Sequence, residues 1–221
     1  MGAPRVLRAG PFPPGDRRRR TLSGWLREEF DALGYDALFD RRGLATDEAI
    51  RILRSVWTTS TAVGFEGDVY RFEPMLMEPK PARPGGLPIW IGGHGKRSIR
   101  RAAELGDGWL PFRLPVDELT KHLAYLREQL ALYGRRREDV TVAVNVVAHP
   151  SGSDPGGHAA DWDLVGDADA CAEKLRRYQQ AGVEHFLVKC PHGSSTAAMV
   201  ETYEVIAREV RPRLERNEQS G

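Results

Sequence analysis

Between residues 88 and 214 the chain switches four times from a short apolar run to a longer segment with helical periodicity. The runs at 88–91, 108–112, 141–148 and 184–190 are followed by amphipathic stretches at 96–105, 116–133, 168–181 and 196–214. Strands joined in this way through helices close as parallel neighbours with right-handed crossovers. The run at 141–148, TVAVNVVA, is almost continuously apolar rather than alternating, so it predicts a strand covered on both faces. The fold class is therefore α/β, a parallel sheet packed by helices.

Upstream of this region the pattern changes. Trp25, Leu26, Phe30 and Leu33 fall at helical spacing, with Glu28 and Glu29 near the start and Gly34 as the stop. A second helix is predicted from Thr46 as N-cap, with Glu48 close behind and Ala49, Ile50, Leu53, Val56 and Trp57 as its buried stripe. Residues 61–75, TAVGFEGDVYRFEPM, read as a hairpin turning at Gly67 and Asp68, followed by the proline-punctuated connection MEPKPARPGG. Four strand–helix pairs behind an opening helix cannot close an eight-stranded barrel from this chain alone. The expectation is a sheet whose first units are missing upstream.

Charge separates the chain into unlike parts. Its 32 Lys and Arg against 31 Asp and Glu give a net charge of +1 over 221 residues. Residues 1–20, however, hold Arg5, Arg8, Arg17, Arg18, Arg19 and Arg20 against Asp16 alone, a local +5 that leaves −4 for the other 201. Residues 1–23 are rich in Pro, Gly and Arg without periodicity, which predicts a disordered head foreign to the fold. The folded domain is expected over residues 24–214, with a second disordered tail at 215–221. The arginine run at 17–20 has no interleaved aromatics and adjoins an acidic body, which argues against a nucleic-acid partner. No apolar stretch approaches the roughly 18 residues of a membrane span. The head lacks the uninterrupted apolar core of an export signal. Cys171 and Cys190 make neither a disulfide framework nor a zinc spacing. These features lead to the expectation of a cytoplasmic protein with no membrane partner, acting on a small molecule, with a homo-oligomer left open.

The segment that carries chemistry is PIWIGGHGKRSIRRAAELGDGWLPF, residues 88–112. Gly92, Gly93 and Gly95 remove Cβ atoms where a helix begins, so an anion can approach free backbone N–H groups, with His94, Lys96 and Ser98 as side-chain donors. It is neither a Walker loop nor a dinucleotide fingerprint: no Ser or Thr directly follows Lys96, and no third glycine stands at the required spacing. The same glycines also serve a plain strand-to-helix turn. Their place at the C-terminal end of a parallel strand is where such folds seat ligands.

Read in order, WLREEFDALG (25–34), DRRG with TDEAIRILRSVW (40–57), FEGDVYRF (65–72), EPKP (78–81), PIWIGG (88–93) and RAAELGDGWLP (101–111) resemble the luciferase-like flavin- or deazaflavin-dependent oxidoreductases, most closely the branch that uses coenzyme F420. The resemblance runs from about Trp25 to Leu214. It implies part of a TIM barrel of the luciferase-like type, lacking its first three to four strand–helix units, with F420, or alternatively FMN, lying across the C-terminal mouth. It implies that Gly92, Gly93, His94 and Gly95, with Lys96 and Ser98, hold the cofactor phosphate, and that Asp107 and Gly108 belong to the next strand facing it. It assigns no catalytic acid or base. Because APRVLRAGPFPPGDRRRR stands where the family has further units, the chain is expected to be a truncated or frame-shifted product, aggregation-prone or dependent on a partner that restores the missing half. The alternative function is a non-catalytic phosphate-ligand or subunit-interaction module.

Three residues beyond the turn are candidates for substrate contact: His149 at the end of its strand, Trp162 in the long polar loop that follows, and His192 after the last strand. Each has an ordinary loop role as its competitor. His158, Asp161 and Asp163 lack metal-ligand spacing, so no metal is expected. Trp57, Trp90 and Trp109 are expected in the core.

Overall fold

Apolar spacing decides which face each element buries in the computed structural model, which describes residues 24, 26–149 and 160–215 and the backbone of 6–8 and 19–21. Two three-residue strands, β1 (Val6–Arg8) and β2 (Arg19–Thr21), precede α1 (Arg27–Ala32), a 3-10 turn over Asp36–Leu38 and the helix α2 (Arg42–Thr58). The hairpin β3 (Val63–Glu66) and β4 (Arg71–Glu78) follows. Then come β5 (Ile89–Gly92), α3 (Lys96–Leu105), β6 (Gly108–Leu110), α4 (Val116–Leu132), β7 (Thr141–Val147), α5 (Ala168–Ala181), β8 (His185–Lys189) and α6 (Thr196–Val205). A π-helical turn over Ile206–Val210 leads into α7 (Arg211–Glu215). Among the described residues no helix is long and apolar enough to cross a membrane.

Strands β2-β5-β6-β7-β8 form one parallel sheet in that order. A second sheet has the order β1-β4-β3, with β1 parallel to β4. The head was expected to lack regular structure, yet two of its triplets pair with the outer edges of β4 and β5. An unpaired strand edge offers a row of N–H and C=O groups that any extended segment satisfies, whatever its side chains. Trp25 and His158 lie outside the described residues.

Parity separates the two faces of the main sheet. Ile89, Ile91, Trp109, Val142, Val144 and Val146 pack against the helices in one continuous core. Trp90, Leu110 and Ala143 form a second cluster with Leu187 on the opposite, inner face. The helical layer owes its adhesion to residues such as Leu119, Leu123, Leu126 and Leu130, which repeat at i, i+4, i+7 and i+11 on α4 and are all buried. Each contributes about 2 kcal/mol by leaving water.

Polar side chains tie the elements together, Asp107 and Arg135 at the end of the sheet away from the glycine turn. Asp107 accepts from the Ile89 N–H at 2.7 Å and from the Arg54 guanidinium, fixing β6 beside β5 and α2. Arg135 donates to the carbonyls of Ala103 (2.9 Å), Gly106 (2.8 Å) and Asp139 (2.9 Å), closing the C-terminus of α3. Tyr178 of α5 is fully buried and donates to the Leu114 carbonyl at 2.8 Å; burial pushes its phenol up to about 12.

Helix α2 has Arg41 as its N-cap, five residues earlier than the N-cap reading of Thr46 predicts. The Thr46 hydroxyl donates back to the Arg42 carbonyl at 2.8 Å, as Ser and Thr do inside helices. Glu48 serves the hairpin instead of the helix. It is buried, and its carboxylate accepts from the N–H groups of Asp68 (2.8 Å), Val69 (3.1 Å) and Tyr70 (2.9 Å). Burial raises its pKa, but the three N–H donors and Arg41 outweigh that and hold it below the usual carboxylate range. A depressed folded pKa stabilises above the unfolded value and loses that contribution as pH falls through the folded one. Glu48→Gln is therefore expected to lower Tm at pH 7, with the gap from the parent closing as pH drops below about 4 in a thermal-melt series.

Candidate functional site

Strand β5 ends in a turn built for close approach. Gly93 adopts φ +97°, donates its N–H to the Leu110 carbonyl at 3.1 Å, and accepts from the Trp109 indole Nε1 at 2.8 Å. A Cβ there would lie 2.9 Å from the Ser98 Oγ. Gly95 is the extended N-cap of α3 and has no side-chain capping bond, while a Cβ on it would meet nothing within 4 Å. The first bond across the cap runs from the Ile99 N–H to the Gly95 carbonyl at 3.1 Å. The N–H groups of Lys96, Arg97 and Ser98 thus precede the helical ladder and project from its positive end. Such a turn has the donors an anion needs, and most of them are backbone.

The predicted residues Gly92, Gly93, His94, Gly95, Lys96 and Ser98 come together at this one turn. Lys96 Nζ rests 5.8 Å from the centroid of the Tyr125 ring of α4. His94 meets His122 edge-on at 6.1 Å, and His122 lies nearly parallel to Trp109 at 6.5 Å, its Nδ1 2.7 Å from the Glu118 carbonyl. Asp107 and Gly108 do not join them. They sit at the N-terminal end of β6, where Asp107 is engaged by Arg54 and Ile89, and Gly108 faces Trp90, whose ring would meet a Cβ at 2.6 Å. The DG pair opens its strand, and ligand-facing groups follow theirs.

His149 stands at the end of β7 with Nε2 3.2 Å from the Asp163 Oδ2, which also accepts from the Ala160 N–H at 3.0 Å. Trp162 is partly buried beside it in sequence, and His192 is exposed on the loop after β8. Sequence reasoning placed Trp109 in the core, where it is, but missed that its indole fixes the turn. His122 was also missed, because a histidine on an amphipathic helix gives no sign of the strand end it will face. Trp109→Phe keeps an aromatic side chain in the core, gives up part of the indole's volume and leaves the Gly93 carbonyl without its donor. It is expected to cost about 1–3 kcal/mol in a denaturant melt.

A family model described as luciferase-like monooxygenase matches residues 22–155. The FMNH(2)-dependent dimethylsulfone monooxygenase of Pseudomonas putida is 25% identical over 170 residues, covering 76% of this chain and 46% of the relative. The F420-dependent glucose-6-phosphate dehydrogenase of Intrasporangium calvum is 23% identical over 208 residues, covering 75% of this chain and 60% of the relative. The chain therefore spans about half the length of the curated relatives it matches. Among solved structures, DmoA from Hyphomicrobium sulfonivorans superposes with a TM-score of 0.68 at 16% identity, over 89% of this chain and 61% of that one, and so shares its fold. The parallel sheet, its one-sided helices and this family match agree, and the chain belongs to the luciferase-like monooxygenase family.

Proposed function

We propose that the uncapped N-terminus of α3 receives the phosphate of a flavin-type cofactor, and that the chain acts as an oxidoreductase on a small organic substrate. Coenzyme F420 with hydride transfer is the first candidate; reduced FMN with oxygenation is the alternative. The observation that carries the reading is the combination at one strand end of Gly93 at φ +97°, a Gly95 with open space around its Cα, and three N–H groups ahead of the helical ladder. Relatives named for each cofactor support the class and leave both in play. When bound, the cofactor supplies the redox chemistry. The chain's own residues hold and orient: the turn takes the phosphate, Trp109 keeps the turn in register, and Lys96 and Ser98 stand within reach as donors. We further propose that the chain works in the cytoplasm without a nucleic-acid or membrane partner.

Gly95→Asp separates cradle from fold. The N-cap is extended, so Asp fits it, caps the helix and adds a few tenths of a kcal/mol of stability, while setting a carboxylate where the phosphate would sit. Fluorescence titration with F420 and with FMN is expected to show saturable binding by the parent. The variant should bind at least about tenfold more weakly at an equal or higher Tm. Unchanged binding by the variant would move the phosphate elsewhere. Saturable binding without turnover on either reduced cofactor would favour the non-catalytic phosphate-ligand module.

A further inference from the structure

The inner face of the sheet holds a polar group that the phosphate turn does not use. Val142, Val144 and Val146 of β7 face the helices, so Ala143, Asn145 and Val147 face inward. Ala143 duly packs with Trp90, Leu110 and Leu187. Asn145 is only 7% exposed, and its buried Oδ1 has no hydrogen-bond partner among the described residues. An orphaned amide oxygen on an apolar wall destabilises the fold, and a valine there would not. A donor arriving from outside the chain resolves the mismatch.

Two cations stand above it. Leu187 is level with Asn145, and Lys189, on the same face, is level with Val147. Lys189 Nζ lies 5.5 Å from the centroid of the Phe112 ring, which follows β6. Since β7 lies between β6 and β8, this contact crosses the inner face of β7 above Asn145. The Arg113 guanidinium is 4.9 Å from the same ring, on a backbone at φ +47°, and Tyr178 anchors the neighbouring Leu114. Among the described residues neither cation has a carboxylate partner. Lys189 and Phe112 are both exposed, so either side chain can move without disturbing the core.

We propose that Asn145, Phe112, Arg113 and Lys189 form the substrate subsite. It takes a small molecule with an anionic group for the two cations and, about 7 Å away, a hydroxyl or N–H donor for the Asn145 Oδ1. The proposal rests on the mouth of the sheet being the ligand-binding end.

The test compares 4-hydroxybutyrate, which carries both groups, with butyrate, which carries the anion alone, by tryptophan fluorescence and ligand-observed NMR on the full chain. The parent is expected to bind 4-hydroxybutyrate about fivefold tighter, the factor supplied by one net hydrogen bond. Asn145→Leu should bring the two within about twofold while holding or raising Tm, and the surface change Lys189→Gln should weaken both at least about fivefold. Equal affinities in the parent, a preference that survives Asn145→Leu, indifference to Lys189→Gln, or no saturable binding of either probe would overturn the proposal. Cofactor titration of the same samples keeps the two readings apart. Retained FMN or F420 binding with failed probes rejects the subsite alone, whereas the expected probe pattern without cofactor binding rejects the cofactor reading alone.

Discussion

The hydrogen bond from the Trp109 indole to the Gly93 carbonyl joins the buried core to the glycine turn at the end of β5. Trp109 is fully enclosed among helix-facing side chains, so its nitrogen is as fixed as the core itself. Gly93 in turn bonds β6 through the Leu110 carbonyl, which places the start of α3 relative to two strands at once. Everything at the mouth inherits this placement. His122 lies along the same indole and His94 meets His122, so even the exposed side chains of the turn are referenced to one ring.

Much of this was legible in the sequence because it depends on period and punctuation. The alternation of apolar runs with amphipathic stretches located β5 to β8 and α3 to α6, and the glycines of GGHG located the turn. What escaped depends on partners distant in the chain. Glu48 looks like a helix-start acid until the hairpin's N–H groups, twenty residues on, prove to be its ligands. Asp107 and Gly108 look like part of a ligand loop, yet they stand at the start of β6 and belong to the end of the sheet away from the glycine turn. Asn145 was lost inside an apolar run, since one amide among valines does not alter the strand pattern. Its significance lies in which face it occupies and in the absence of a donor there.

The sheet divides its labour along its length. Arg54 is consumed on Asp107 at the N-terminal end of the strands, and midway along α3 Arg101 is consumed on Asp47 and the Gly43 carbonyl at 2.9 Å. At the C-terminal end, Arg113 and Lys189 rest on an aromatic ring and Lys96 on another. A cation parked on a ring face loses little when an anion draws it away, whereas the internal ion pairs hold elements together. The polarity of the protein is thus set by where its arginines are already spoken for.

Arg135 adds a consequence at the far end of α3. With the last carbonyls of that helix already receiving guanidinium N–H groups, the peptide dipoles are aligned and compensated at one end only. The opposite end presents a standing electric field to the solvent before any ligand arrives. An anion taken up at that end, as proposed, would meet donors already in place, and rising ionic strength would screen its approach.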